Sequence, residues 1–93
     1  MVLLHGYLFF DKMNSKKWLI EWFKKNSNIS KEFINKNIEE NYFNKGWINS
    51  LKFILLITDI EKEFEILFSN EEFQNREFST IIGLSRIIEG KGQ

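Results

Sequence analysis

The stretch of this chain best suited to chemistry is Asn44-Lys45-Gly46-Trp47-Ile48-Asn49-Ser50-Leu51. A loop containing a glycine runs into a serine at the head of an apolar helical pattern. A serine placed there shows its hydroxyl beside backbone N–H groups that have no acceptor within the helix, at the positive end of the helix dipole. A phosphate ester on that oxygen sits in a favourable field. Asn49 can act as the N-cap, which leaves the Ser50 hydroxyl free to be modified. Most serines ahead of an apolar helix are simply caps, so the surrounding elements have to carry the assignment.

Other chemistry is scarce. The chain has no Cys, hence no disulfide framework and no thiolate, and its single His leaves no His/Cys cluster for zinc. No nucleophile–base set and no acid/base pair can be named, so the chain is not expected to be an enzyme. Residues 1–50 carry eight Lys against five acids, and residues 51–93 carry five basic residues against eight acids, so a neutral total hides a basic first half and an acidic second half. Lys16, Lys17, Lys24 and Lys25 share one helix with Glu21 between them and read as a solvated face rather than a nucleic-acid patch.

The elements that must position Ser50 are helical. Trp18, Leu19, Trp22 and Phe23 recur at helical spacing and predict a helix over about 15–25, capped by Asn14 or Ser15. Ser30 can cap a short turn at 31–34. Between there and Asn49, Ile38, Tyr42, Phe43 and Trp47 read as apolar anchors of a long loop packed on the core. Phe53, Leu56, Ile57, Ile60 and Phe64 form one stripe and predict a helix over 50–64, with Leu51, Ile54, Leu55 and Thr58 on faces open to solvent. Asp59, Glu61, Lys62, Glu63 and Glu65 crowd its far end. A capped turn or short helix is expected at 69–73. Ser79-Thr80 is expected to cap a last helix running from Ile81 to about Glu89, with Ile81, Leu84, Ile87 and Ile88 inward and Gly90–Gln93 frayed. The fold class is therefore all-α, a four-helix bundle of three main helices and one short one. Residues 13–93 form the domain. Residues 1–12 are an extension of unassigned role, either an added strand or arm or sequence upstream of a start at Met13. The apolar run Val2–Phe10 is too short to span a bilayer and lacks the marks of a signal peptide.

From Trp18 to Glu89 the order and spacing of these pieces resemble the acyl/peptidyl carrier superfamily. The attachment motif of that superfamily, Asp-Ser-Leu after a Gly, is matched by Gly46-Trp47-Ile48-Asn49-Ser50-Leu51. The acidic end of the second helix, followed by Phe-Gly-Ile, is matched by Glu61-Lys62-Glu63-Phe64-Glu65-Ile66. A further acidic turn is matched by Asn70-Glu71-Glu72-Phe73, and the opening of the last helix by Phe78-Ser79-Thr80-Ile81. The resemblance implies an acyl-carrier-like bundle with 4'-phosphopantetheine attached covalently to Ser50, beside Asn49. It implies acyl or aminoacyl groups held as thioesters on that arm. Its implied partners are a phosphopantetheinyl transferase and the enzymes that load and transfer those groups, reading a face of Leu51, Ile54, Leu55, Thr58 and Glu61. The expected protein is a cytoplasmic monomer that binds no nucleic acid and does not insert stably in membranes. The pattern departs at Asn49, where the family has Asp, and at Glu65, where it has Gly. Lys52, Leu55 and Lys62 stand where fatty-acid carriers commonly have acids, which favours a specialised acyl or aminoacyl pathway, the D-alanyl type included, over the housekeeping fatty-acid carrier. Asn49 also keeps open an alternative, a carrier-like helical interaction module that is never modified.

Overall fold

The computed structural model describes residues 14–91. The expectations for residues 1–12, the proposed start at Met13 and the fraying of Gly92 and Gln93 lie outside the described residues. The described chain is all-α: α1 (Ser15–Asn26), α2 (Lys31–Lys36), α3 (Ser50–Phe64) and α4 (Ile81–Lys91), with 3₁₀ turns at Glu72–Gln74 and Arg76–Ser79 between α3 and α4. Among the described residues there is no strand.

The caps follow local chemistry, with corrections at Ser15 and Ser79. The Asn14 side chain, not Ser15, accepts the Lys17 N–H and starts α1. Ser15 is fully buried instead, its hydroxyl 2.7 Å from that of Ser85 and 3.1 Å from the Glu89 carboxylate. A serine side chain has a single oxygen, and here the partner across the bundle takes it. Ser30 caps α2 through the Phe33 N–H. The Thr80 hydroxyl accepts the Gly83 N–H and caps α4 in place of Ser79. Ser69 and Glu72 form a reciprocal capping box, the Ser69 N–H donating to the Glu72 carboxylate at 2.8 Å and the Glu72 N–H to the Ser69 hydroxyl at 3.2 Å. The Ser69 N–H, and after it the Lys91 ammonium, hold the Glu72 carboxyl below its ordinary pKa. Lys91 reaches both Glu72 oxygens at 3.1 Å, and α4 continues through Gly90 to Lys91 rather than ending near Glu89.

The stripes converge on one core. Leu19, Trp22 and Phe23 of α1, Leu56, Ile57, Ile60 and Phe64 of α3, and Ile81, Leu84 and Ile88 of α4 are buried together with Ile34 of α2. Phe53 and Ile87 lie at its edge, partly buried. The Trp18 ring meets Phe64 edge-on at 5.5 Å, while the Lys52 ammonium donates to the Asn26 carbonyl at 2.9 Å. The start of α1 thus lies by the end of α3, and the end of α1 by Ser50. Asp59, in the acidic end of α3, accepts the Trp22 indole N–H at 2.8 Å and ties the two helices together.

Helix α3 stops at Glu65, which takes the left-handed conformation at φ 57°, ψ 49°. The Glu65 and Ile66 N–H groups both return to the Glu61 carbonyl. A Cβ is disfavoured at this backbone angle. Glu65→Gly is therefore expected to be about 1 kcal/mol more stable than Glu65→Ala, a comparison in which both variants lose the same side chain. Equal urea midpoints would show that the left-handed cap is wrong.

Candidate functional site

The loop before α3 is built by Tyr42. Its N–H donates to the Ser79 carbonyl at 3.0 Å, its hydroxyl donates to the Phe78 carbonyl, and its own carbonyl accepts the Trp47 N–H at 2.9 Å. The ring is fully buried at 4.9 Å from Phe23, and burial pushes the hydroxyl pKa up. The Asn41 carboxamide accepts the Phe43 and Asn44 N–H groups and starts a single helical turn. Gly46 ends that turn at φ +74°, with its N–H on the Phe43 carbonyl and the Trp47 N–H on Tyr42. This is the Schellman pattern, in which a left-handed glycine closes the last turn. Trp47 and Ile48 then plunge into the core, and Asn49 emerges as the cap of α3. Of the anchors expected in this loop, Tyr42 and Trp47 are buried and Ile38 partly so, whereas Phe43 is 38% exposed and leans on Phe53 at 5.0 Å. Ile48 is a buried anchor that the spacing did not mark.

At the end of this loop the Asn49 carboxamide accepts the Lys52 N–H at 2.9 Å, and its carbonyl accepts the Phe53 N–H. Ser50 is the first residue of α3 and is exposed, and among the described residues its hydroxyl makes no hydrogen bond. The cap is thus the asparagine, and the exposed, unbonded hydroxyl is the serine's. Beside them an open cleft of about 470 Å³ lies between Asn26–Ile29 and Gly46–Asn49, with the Lys52 side chain on its wall. A phosphate on Ser50 fits this setting: first-turn amides, a lysine two residues further along α3 and a polar cleft. A second cleft, of about 500 Å³, lies at the other end of α1 between Lys16, Lys17, Lys31 and Glu32, away from Ser50.

The exposed face of α3 has the composition the sequence predicts. Leu51 is 77%, Ile54 62% and Leu55 42% exposed. Thr58 continues the row, its hydroxyl returned to the Ile54 carbonyl. Glu61, expected on this face, is half-buried instead, and its carboxylate accepts the Phe68 N–H at 3.1 Å to fasten the chain that leaves α3. That contact joins residues separated by a helix end, and helical periodicity holds no signal for it. Among the described residues no three His, Cys, Asp or Glu side chains come together to hold a metal, and no helix is long and apolar enough to cross a membrane. No family model matches the chain, and no curated protein and no solved structure is similar to it at a significant level.

Proposed function

We propose that this protein is a carrier whose Ser50 takes a 4'-phosphopantetheine arm and presents acyl or aminoacyl groups to partner enzymes. The observation that carries the reading is the division of labour at the head of α3: Asn49 satisfies the helix start, and among the described residues the Ser50 hydroxyl stays exposed and unbonded beside an exposed apolar face. In the attachment step the Ser50 oxygen attacks the phosphorus next to the pantetheine of coenzyme A. The bond to the remaining phosphate breaks, 3',5'-ADP leaves, and the serine proton passes to a base on the transferase. The chain's own part is to hold the nucleophile clear of competing hydrogen bonds and to supply the positive field of the helix start and Lys52. When attached, the arm supplies a terminal thiol that holds cargo as a thioester, and tethering raises the effective concentration of that cargo at each partner. Such a carrier is not itself a catalyst, and the reading places it in the cytoplasm as a monomer.

The test is intact mass after incubation with coenzyme A, Mg²⁺ and several broad-specificity transferases. A gain of one arm is expected, lost in Ser50→Ala without loss of helical signal. Asn49→Asp is expected to speed the reaction, because it places a carboxylate next to the attachment oxygen. No gain in either the native chain or Asn49→Asp would overturn the reading. The second reading, an unmodified helical interaction module, is favoured by one feature: the residue beside Ser50 is a carboxamide already engaged as a cap. That outcome would make it the leading account.

A further inference from the structure

The uncovered face of α3 has a border of one sign at its Ser50 end. From Ser50 to Thr58 the helix contains a single charged residue, Lys52. Its ammonium sits on the Asn26 carbonyl at 2.9 Å, so the last turn of α1 adjoins this end, bringing the exposed Lys24 and Lys25 with it. Lys25 lies one turn beyond Trp22, whose indole contacts Asp59, and so flanks the side of α1 that faces α3. Glu21, the acid of α1, is already in an ion pair with Lys31. Lys31 first, with lesser contributions from Lys24 and Lys25, keeps its carboxyl below the ordinary range. The acids of α3 all lie beyond Thr58. Among them, Asp59 accepts from the Trp22 indole and Glu61 from the Phe68 N–H, so both carboxylates are held at the far end of the face, away from Ser50. The positive end of the α3 dipole adds to the lysines, while Lys52 covers the carbonyl end of α1 that meets it there. Leu51, Ile54 and Leu55 are therefore an apolar patch whose Ser50 end is bordered by lysines.

We infer that the partner docking here is a protein whose contact surface is an apolar patch bordered by carboxylates. The inference rests on the proposal that this face is the docking surface and adds the chemistry of what it meets. Apolar contact supplies the adhesion, while complementary border charges steer the encounter and reject partners of the wrong sign. A lysine-bordered patch would meet Lys25 and Lys52 at close range.

The test uses the full chain, isotopically labelled and titrated with two synthetic amphipathic helical peptides that share one leucine stripe. One peptide is flanked by glutamates and the other by lysines. A third titration uses phosphatidylglycerol vesicles. The glutamate-flanked peptide is expected to shift the amide signals of Leu51, Ile54 and Leu55 and to bind about tenfold more tightly than its counterpart at low salt. The gap should shrink at about 0.3 M salt, where screening shortens the reach of exposed charges. Lys25→Glu/Lys52→Glu should reverse the preference. Leu55→Glu should weaken binding of the glutamate-flanked peptide while thermal unfolding stays where it was. Equal affinities, a preference for the lysine-flanked peptide, shifts elsewhere on the surface, or binding to the vesicles alone would overturn the inference. Every arm is read on unmodified protein, so the result stands apart from whether Ser50 accepts the arm.

Discussion

Replacing Ile60 with alanine is expected to destabilise the fold by about 2–5 kcal/mol. Ile60 is completely buried on the inner stripe of α3, in the cluster that joins α1 to α4. The loss combines the transfer free energy of the deleted methyl groups with the cavity left where the neighbours cannot close in. For a domain of this size, total stability is of the order of 5–15 kcal/mol, so one such change removes a large part of it. The melting temperature should fall by roughly 10 °C or more. Ile60→Val should cost only about 0.5–1.5 kcal/mol, because it removes one methylene. Urea unfolding with an unchanged slope separates lost stability from a change in the unfolded state. A cost near zero for Ile60→Ala would show that the stripe is misplaced, since a residue of the same type at Ile54, 62% exposed, should tolerate alanine.

Gly83→Ala is expected to destabilise by about 1–3 kcal/mol or more, against the intrinsic preference of helices for alanine. Gly83 lies in the first turn of α4, which packs on the 3₁₀ turn at Arg76–Ser79. A Cβ there would fall 2.7 Å from the Glu77 Cβ and 2.8 Å from its Cα, and closer still to its carbonyl oxygen. These atoms belong to the backbone or its first carbon, so no flexible side-chain end can swing aside. The strain must shift the turn that carries Phe78 and Ser79, whose carbonyls hold Tyr42 and through it the loop to Ser50. Gly90 is the control. It lies in the same helix with nothing within 4 Å of an added Cβ, and Gly90→Ala should stabilise by roughly 0.5–1 kcal/mol. Opposite signs at the two glycines are the expected result, read from paired denaturation curves. A stabilised Gly83→Ala would mean that α4 does not approach the Glu77 backbone.

The local part of this architecture is legible in the residues themselves. Helix α3 runs over Ser50–Phe64 as its stripe predicts, Asn49 caps it, and Leu51, Ile54, Leu55 and Thr58 face solvent. Each of these features depends on residues within about one helical turn, where the 3.6 period and the reach of a short polar side chain leave few arrangements. The exposed serine at a capped helix start, on which the proposed function rests, belongs to the same class.

What only the tertiary structure decided are the pairings between distant residues. Ser15 reads as a cap from its place in the sequence, and its buried contact with Ser85 and Glu89 takes it away from that use. Glu61 had the spacing of a surface acid, yet the chain leaving α3 turns back and gives it the Phe68 N–H. Lys91 prolongs α4 because Glu72 stands within its reach, and Gly83 is needed because a turn of backbone passes against it. The hub role of Tyr42 depends on two carbonyls more than thirty residues away. A side chain's hydrogen-bonding capacity is written in its type, but its partner is chosen by how the helices cross and where the connecting loops fall. Periodicity specifies which face of each helix turns inward and leaves open which residue of another helix it meets there.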